Sequence, residues 1–385
     1  MTLRVHLHGG FGEKGRTCLR VDSGGYRLLL DAGVKISARE TADYYPAISD
    51  DELRTLDAII LTHSHEDHLG ALGWCIERGF RGTIHMTPET RREADTILAD
   101  YATPAQRALL RDRPIDALQL GAVPLRLGPL RVSLGRSGHM DGCVWCCVDD
   151  GRKRLVYCGD IVPASAVFAT DPLPRGDALV IDASYGDDNT GFATRAMQIR
   201  EWIAAHPQGC VLPTPLYGRS AELLAIIDAP LAFAPGMRDA LTTQLRDTDW
   251  LLPGISAMLE ARVARFPDWH VGDPLPRAAL LCHDGMGLGG PARSILAEAA
   301  RTDHPTLFTG HVPARSPAAL MVDQQRASWV RLPTHPTLAE NLALIADCAA
   351  PVVIGHSCDR DALDRIAAHA PQLDPALATG DHIEI

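Results

Sequence analysis

Lysine is nearly absent from this chain: Lys14, Lys35 and Lys153 are the only lysines among 37 basic residues. Arginine suits bidentate phosphate contacts, but codon bias in a GC-rich genome accounts for the imbalance more simply. Excess positive charge is lacking too. The formal net charge of -11 excludes a wholly basic, nucleic-acid-coating surface, though not a local basic groove. No apolar run reaches the ~18 residues that a bilayer-spanning helix requires. No signal-peptide core stands at the start either, because Met1 to Val5 lead directly into a strand-like segment, and a cytoplasmic protein is expected. The 10 cysteines are scattered or sit inside apolar runs such as Val144-Trp145-Cys146-Cys147-Val148, which argues for buried free thiols and against a disulfide framework. Cys143 and Cys146 have no second pair at zinc-binding distance, so a zinc knuckle is rejected. Internal repeats and low-complexity stretches are also missing. What is present is an ordinary globular composition, 46% hydrophobic and 22% charged over 385 residues, enough for two domains or one large domain carrying an insertion.

Short strands are expected at Leu3–His8, Cys18–Val21 and Tyr26–Asp31, separated by glycine-rich turns in the manner of an antiparallel meander. Leu56–Thr62 is a strand-length apolar run interrupted only by Asp57. Further strands alternate with one long helix around Glu89–Tyr101, and Asp149-Asp150-Gly151 marks a hairpin turn. From Ala178 the pattern becomes strand then helix, repeatedly, as in a parallel α/β sheet. The last strand, at Val352–Ile354, lies between helices at Leu338–Asp347 and near Asp359–Ala368.

The strongest chemical signal follows the Leu56–Leu61 run: Thr62-His63-Ser64-His65-Glu66-Asp67-His68-Leu69-Gly70. His63, His65, Asp67 and His68 stand on a turn leading into a helix and can converge on one centre, and imidazole with carboxylate suits zinc and similar divalent metals. This pattern resembles the metallo-β-lactamase superfamily. Three further segments fit that family in order: Ser137-Gly138-His139-Met140, Tyr157-Cys158-Gly159-Asp160-Ile161, and Val352-Val353-Ile354-Gly355-His356. The resemblance implies that His63, His65 and His139 hold one metal, that Asp67, His68 and His356 hold a second, and that Asp160 bridges them. Zinc is the default ion, with manganese as the alternative. Two such metals lower the pKa of a shared water and clamp both oxygens of a displacement.

Ala178-Leu179-Val180-Ile181-Asp182-Ala183-Ser184-Tyr185-Gly186 resembles the segment that opens the insertion of the β-CASP branch, whose members process nucleic acids. Pro213-Thr214-Pro215-Leu216-Tyr217-Gly218-Arg219, Asp284-Gly285-Met286-Gly287-Leu288-Gly289-Gly290-Pro291 and Phe308-Thr309-Gly310 resemble further segments of that branch. Leu332-Pro333-Thr334-His335 resembles its middle histidine motif. That motif usually has a small residue after its histidine where Pro336 stands, and the last usually continues His-Gly-Glu where this chain has His356-Ser357-Cys358.

The fold expected is therefore α/β, a four-layer αββα metallo-β-lactamase fold with an inserted β-CASP α/β domain. The boundaries expected are 1–188 and 330–385 for the metallo-β-lactamase part and 189–329 for the insertion. The activity implied is hydrolysis of a phosphodiester in RNA or single-stranded DNA by a hydroxide held between two metals. Asp67, Asp160, Asp182 and His335 are the expected catalytic residues, with His335 paired to Asp182 for protonating the leaving oxygen or binding the scissile phosphate. Arg219, Gly289, Gly290 and Arg293 are expected to contact substrate, the glycines through amides at a helix start, and His283 and His311 to line the groove. A hydrolase of small phosphodiesters, thioesters or lactones explains the metal ligands equally well, but it does not call for Asp182, His335 or the insertion. A non-catalytic binding subunit would be expected to have lost a ligand. No membrane partner is expected. The sequence leaves the oligomeric state open, a homodimer being one form.

Overall fold

The computed structural model describes residues 2–111, 113–121 and 123–385; Met1, Asp112 and Ala122, all within the expected first domain, lie outside it. Two large sheets dominate. One has seven strands in the order His382–Glu384, Arg4–Gly9, Cys18–Ser23, Tyr26–Leu30, Ala58–Ile60, Thr83–Met86, Ile115–Ala117. The other has six, in the order Val352–His356, Ala178–Asp182, Arg154–Tyr157, Val144–Asp149, Leu130–Arg136, Leu125–Leu127.

Alternation along these strands sorts their side chains into layers, because successive residues of a strand face opposite sides. Leu28 and Leu30 join Val144, Cys146, Val148, Tyr157 and Val180 in one core between the two sheets. Leu29 and Ile59 turn the other way, onto Leu53, Leu72, Ile76 and Leu98 of the helices outside the first sheet. Trp145, Val156, Leu179 and Ile181 face Leu338, Ile345, Leu363 and Ile366 of the helices outside the second. The result is helix, sheet, sheet, helix: the four-layer arrangement expected from the sequence.

Between Ala178–Asp182 and Val352–His356, which pair directly and in parallel, the chain makes a smaller parallel sheet of Cys210–Pro213, Ala279–Cys282 and Leu231–Phe233. It is covered on both faces: Leu212, Phe233 and Leu281 enter one core, and Val211, Ala232 and Leu280 another. Met140, Cys143, Val167 and Phe168 share the first of these cores, so the smaller sheet is packed against the four-layer part. Leu307–Phe308 and Ser328–Trp329 form a parallel two-stranded ribbon. All ten cysteines are free and buried, and no helix is long and apolar enough to cross a membrane among the described residues.

Candidate metal centre

Ala58–Ile60 is fully buried and ends where Leu61 and Thr62 enter the loop. The Val144 amide donates to the Thr62 carbonyl at 3.1 Å, tying this loop to the second sheet. His65 takes the residue before the short helix Glu66–Leu69, which sets Asp67 and His68 on its first turn. His139 lies in the loop between Leu130–Arg136 and Val144–Asp149, and Asp160 just past Arg154–Tyr157. Asp182 and His356 end neighbouring parallel strands and stand opposite each other in register. The carboxyl ends of four strands and one connecting loop thus deliver these side chains to one place.

There, His63, His65, His139 and Asp160 form a group whose nitrogen and oxygen atoms all lie within 4.8 Å of one another. His63 Nε2 and His139 Nε2 are 3.6 and 3.5 Å from Asp160 Oδ2, and His68 Nε2 is 3.1 Å from Asp160 Oδ1. A second group, also within 4.8 Å, joins Asp160 to Asp182 and His356. Asp67 lines the same cleft but belongs to neither group. His356 Nε2 donates to the Gly159 carbonyl at 2.9 Å. The set expected for a second metal is therefore not gathered round one point as the first set is.

Among the described residues, the buried atoms His63 Nε2, His65 Nε2, His68 Nε2 and Asp160 Oδ1 make no hydrogen bond of good geometry, although the last two face each other at 3.1 Å. Buried polar atoms are almost always satisfied, and four such atoms of metal-ligating types facing one another are what a bound cation would complete. The opposite edges of the rings are held. His139 Nδ1 donates to the Thr334 carbonyl at 2.8 Å, and His68 Nδ1 lies 2.8 Å from Asp31 Oδ2, the outer support that ligating imidazoles require. Burial holds the His63 and His139 pKa values well below the ordinary range and that of His65 at about 4, so these rings are neutral and able to ligate. His68 is the exception: burial opposes its charge, but Asp160 and Asp31 outweigh it and push its pKa up. The donor set and fold imply divalent metal ions.

Asp31 is the functional residue that the sequence did not single out. Fully buried, it accepts from the Thr62 amide at 2.7 Å, the Thr62 hydroxyl at 2.9 Å and the Tyr157 hydroxyl at 2.5 Å, besides facing His68. An acidic residue ending the apolar run Leu28-Leu29-Leu30 was the available signal.

His335 Nδ1 lies 2.8 Å from Asp182 Oδ2 and 3.7 Å from Asp160 Oδ2. Burial works against its charge, yet the two carboxylates raise its pKa to about 9. The Asp182 carboxylate also accepts from the amides of Ser184 and Ile161. Lys14, Tyr101, Tyr217, Arg219, His283 and His311 join His335 in the cleft wall. Arg219 donates to the Thr334 hydroxyl at 3.0 Å.

The glycine-rich loop corrects one expectation. Its amides do not form an open cradle: the Asp284 carboxylate already accepts from Met286 at 2.8 Å, Leu288 at 3.2 Å and Gly289 at 2.8 Å, and from Gly287 as well. An internal carboxylate thus takes the place foreseen for a phosphate. Gly289, Gly290 and Arg293 are absent from the cleft wall, and Arg293 is exposed.

Residues 12–203 match the family described as the metallo-β-lactamase superfamily. Among curated proteins, the transcription termination factor FttA of Methanothermobacter thermautotrophicus is 27% identical over 252 residues, 58% of this chain and 39% of that one. A ribonuclease of Thermus thermophilus is 30% identical over 221 residues, 53% of this chain and 50% of its own. The chain thus spans between two-fifths and half of the length of these curated relatives. In fold it is similar to a protein of unknown function from Enterococcus faecalis, with a TM-score of 0.64 at 11% identity and 100% of both chains covered. With the four-layer fold and the histidine and aspartate cluster at its strand ends, this family match shows that the chain carries a metallo-β-lactamase domain.

Proposed function

We propose that this protein is a metal-dependent nuclease that hydrolyses phosphodiester bonds in RNA. The observation that carries the proposal is the placing of His335: held by Asp182 at 2.8 Å, it lines the cleft beside His139 and Asp160 of the ligand cluster. An imidazole with a pKa of about 9 carries a proton at neutral pH. It is therefore suited to donating that proton to a leaving oxygen or to binding a phosphate oxygen. Nδ1 is engaged by the carboxylate, and the other ring nitrogen makes no hydrogen bond among the described residues. A ribonuclease among the relatives supports RNA as the substrate class.

His63, His65 and His139 are the proposed ligands of one ion, and Asp67, His68 and His356 of a second, with Asp160, common to both clusters, between them. Zinc is the proposed metal, since imidazole and carboxylate donors suit it, and manganese is the alternative. Such ions, when bound, supply activated water and charge neutralisation at the phosphate. Arg219, beside them in the cleft wall, offers a guanidinium to the same phosphate. Residues 189–329 are proposed as the inserted domain forming the far side of the cleft. Ten buried free thiols fit a reducing, cytoplasmic compartment.

The test uses purified, metal-analysed protein on end-labelled single-stranded RNA and DNA, with zinc or manganese, and with His63→Ala alongside. Cleavage of RNA that disappears in the variant is expected. Absence of any polymer cleavage by fully metal-loaded protein, with turnover of small esters, would replace the proposal by a small-substrate hydrolase.

A further inference from the structure

Beyond the metals, the cleft does not end at Lys14 and His311. The same two residues line a second groove of about 360 Å³ on their far side, whose wall includes Tyr185, Trp329, Arg331 and Arg365. The chemistry of this groove differs from that of the metal cleft: it presents an indole, the Lys14 ammonium, and two arginines, Arg331 and Arg365, that are paired with Asp188 and Asp187.

Trp329 is 48% exposed, among the largest apolar side chains at the surface, yet it is not loose. Its Nε1 donates to the Gly310 carbonyl at 2.8 Å, and its backbone is paired with Phe308 in the two-stranded ribbon. An indole pinned at one edge with its ring open to a groove is a ready stacking surface, and every nucleobase has a face that fits one. Arg331 is also held in place, over the Tyr185 ring at 4.0 Å and against Asp188 at 2.5 Å. Lys14 makes no ion pair among the described residues. The acidic residues of the groove are occupied: Asp187 pairs with Arg365 at 2.8 Å, and Asp359 caps the helix Arg360–Ala367 through the Ala362 amide. Positive charge is concentrated where the two hollows meet, since Lys14 and the exposed His311 line both, with Arg219 in the wall of the one and Arg331 in the wall of the other. In a chain with a net charge of -11, a local concentration of this kind is what a polyanion would find.

Resting on the nuclease assignment above, we propose that this groove receives the RNA strand flanking the scissile phosphate. Lys14 and Arg331 meet the backbone phosphates, and Trp329 stacks on a base. The groove reads no sequence, because stacking on a flat ring tolerates all four bases, and it makes strand length a determinant of affinity. A dinucleotide fills the metal cleft alone, whereas a longer strand continues past Lys14 onto Trp329.

The experiment measures binding by zinc-loaded protein of fluorescein-labelled, phosphorothioate-linked 2′-O-methyl oligouridines of two and nine nucleotides, by anisotropy at several salt concentrations. The wild type is expected to bind the longer strand more tightly. In Trp329→Ala that gain shrinks roughly tenfold, the scale of one lost base–aromatic stack, while Trp329→Phe retains most of it. Lys14→Gln reduces the salt dependence of binding to the longer strand. Equal length dependence in wild type and Trp329→Ala, with the longer strand bound tightly by both, would overturn the groove and leave the nuclease assignment standing. If the wild type binds neither strand, the assignment itself falls and the groove with it. A fold lost in Trp329→Ala would show as a lowered melting temperature, and the decision then passes to Trp329→Phe and Lys14→Gln, whose unchanged length and salt dependence would equally overturn the groove.

Discussion

His335 Nδ1 and Asp182 Oδ2 stand 2.8 Å apart across 153 residues of chain, at the meeting of the Ala178–Asp182 strand end and the loop before the helix Leu338–Cys348. Thr337 and Glu340 close a capping box on that helix, which fixes the loop two residues beyond His335. Asp182 is itself restrained by the Ser184 and Ile161 amides, so neither partner is free to swing.

The pair predicts a severe loss of turnover without loss of metal. His335→Ala should reduce kcat on RNA by about 10²–10⁴, the range for removing a general acid, with metal content per chain unchanged. Asp182→Asn should leave the imidazole less oriented and less basic, and should move the alkaline limb of the pH–rate profile down. Full activity in His335→Ala would remove this residue from the proposed chemistry.

Much of the site could be read from sequence because its residues close strands. A buried run of three to five apolar residues closed or followed by a polar residue is a local pattern, and His63, Asp160, Asp182 and His356 each stand at the end of one. The four-layer core was legible for the same reason, since alternation at Leu28–Leu30 and Val144–Val148 states which side chains face which layer. Asp284 was not, because a carboxylate folding forward onto its own loop amides has the same sequence as an open anion cradle. Nor was the pairing of His382–Glu384 with Arg4–His6: three residues carry no usable periodicity, and the contact joins opposite ends of the chain.

Asp31 predicts that metal affinity depends on a residue that touches no metal position. It is the carboxylate behind His68 and also anchors Thr62, the residue preceding His63. Asp31→Asn preserves shape but removes the charge that orients the imidazole, and should weaken metal binding about 10–100-fold, measured by competition with a chromogenic chelator. Unaltered affinity would show that the Thr62 and Tyr157 contacts alone hold the site.

Metal removal should cost stability. Four buried atoms at the cluster make no well-formed hydrogen bond among the described residues, and a ligand that binds only the folded state adds about 2.7 kcal/mol at a free concentration of 100 times Kd. Chelator-treated protein should therefore melt several degrees lower than zinc-loaded protein, with full recovery on adding zinc. His63→Ala should lose most of this dependence. An identical melting temperature with and without metal would mean that the cluster is satisfied by protons and water alone.

Glu222 gives a pH dependence unconnected with the metals. Its carboxylate accepts from the Ser165 hydroxyl and from the Ala166 amide at 3.1 Å, but burial dominates and lifts its pKa from 4.5 to about 7. A carboxyl group with a higher pKa folded than unfolded binds its proton more tightly in the native state. Its contribution to stability is therefore greatest below pH 4.5, falls as pH rises toward 7, and changes no further above that. Glu222→Gln removes the titrating group and keeps an oxygen acceptor for the Ala166 amide. In urea denaturation, wild type should lose stability relative to this variant between pH 5 and 8, with the difference levelling off near pH 7. Parallel stability curves for the two proteins would show that the hydroxyl and amide donors hold Glu222 ionised throughout.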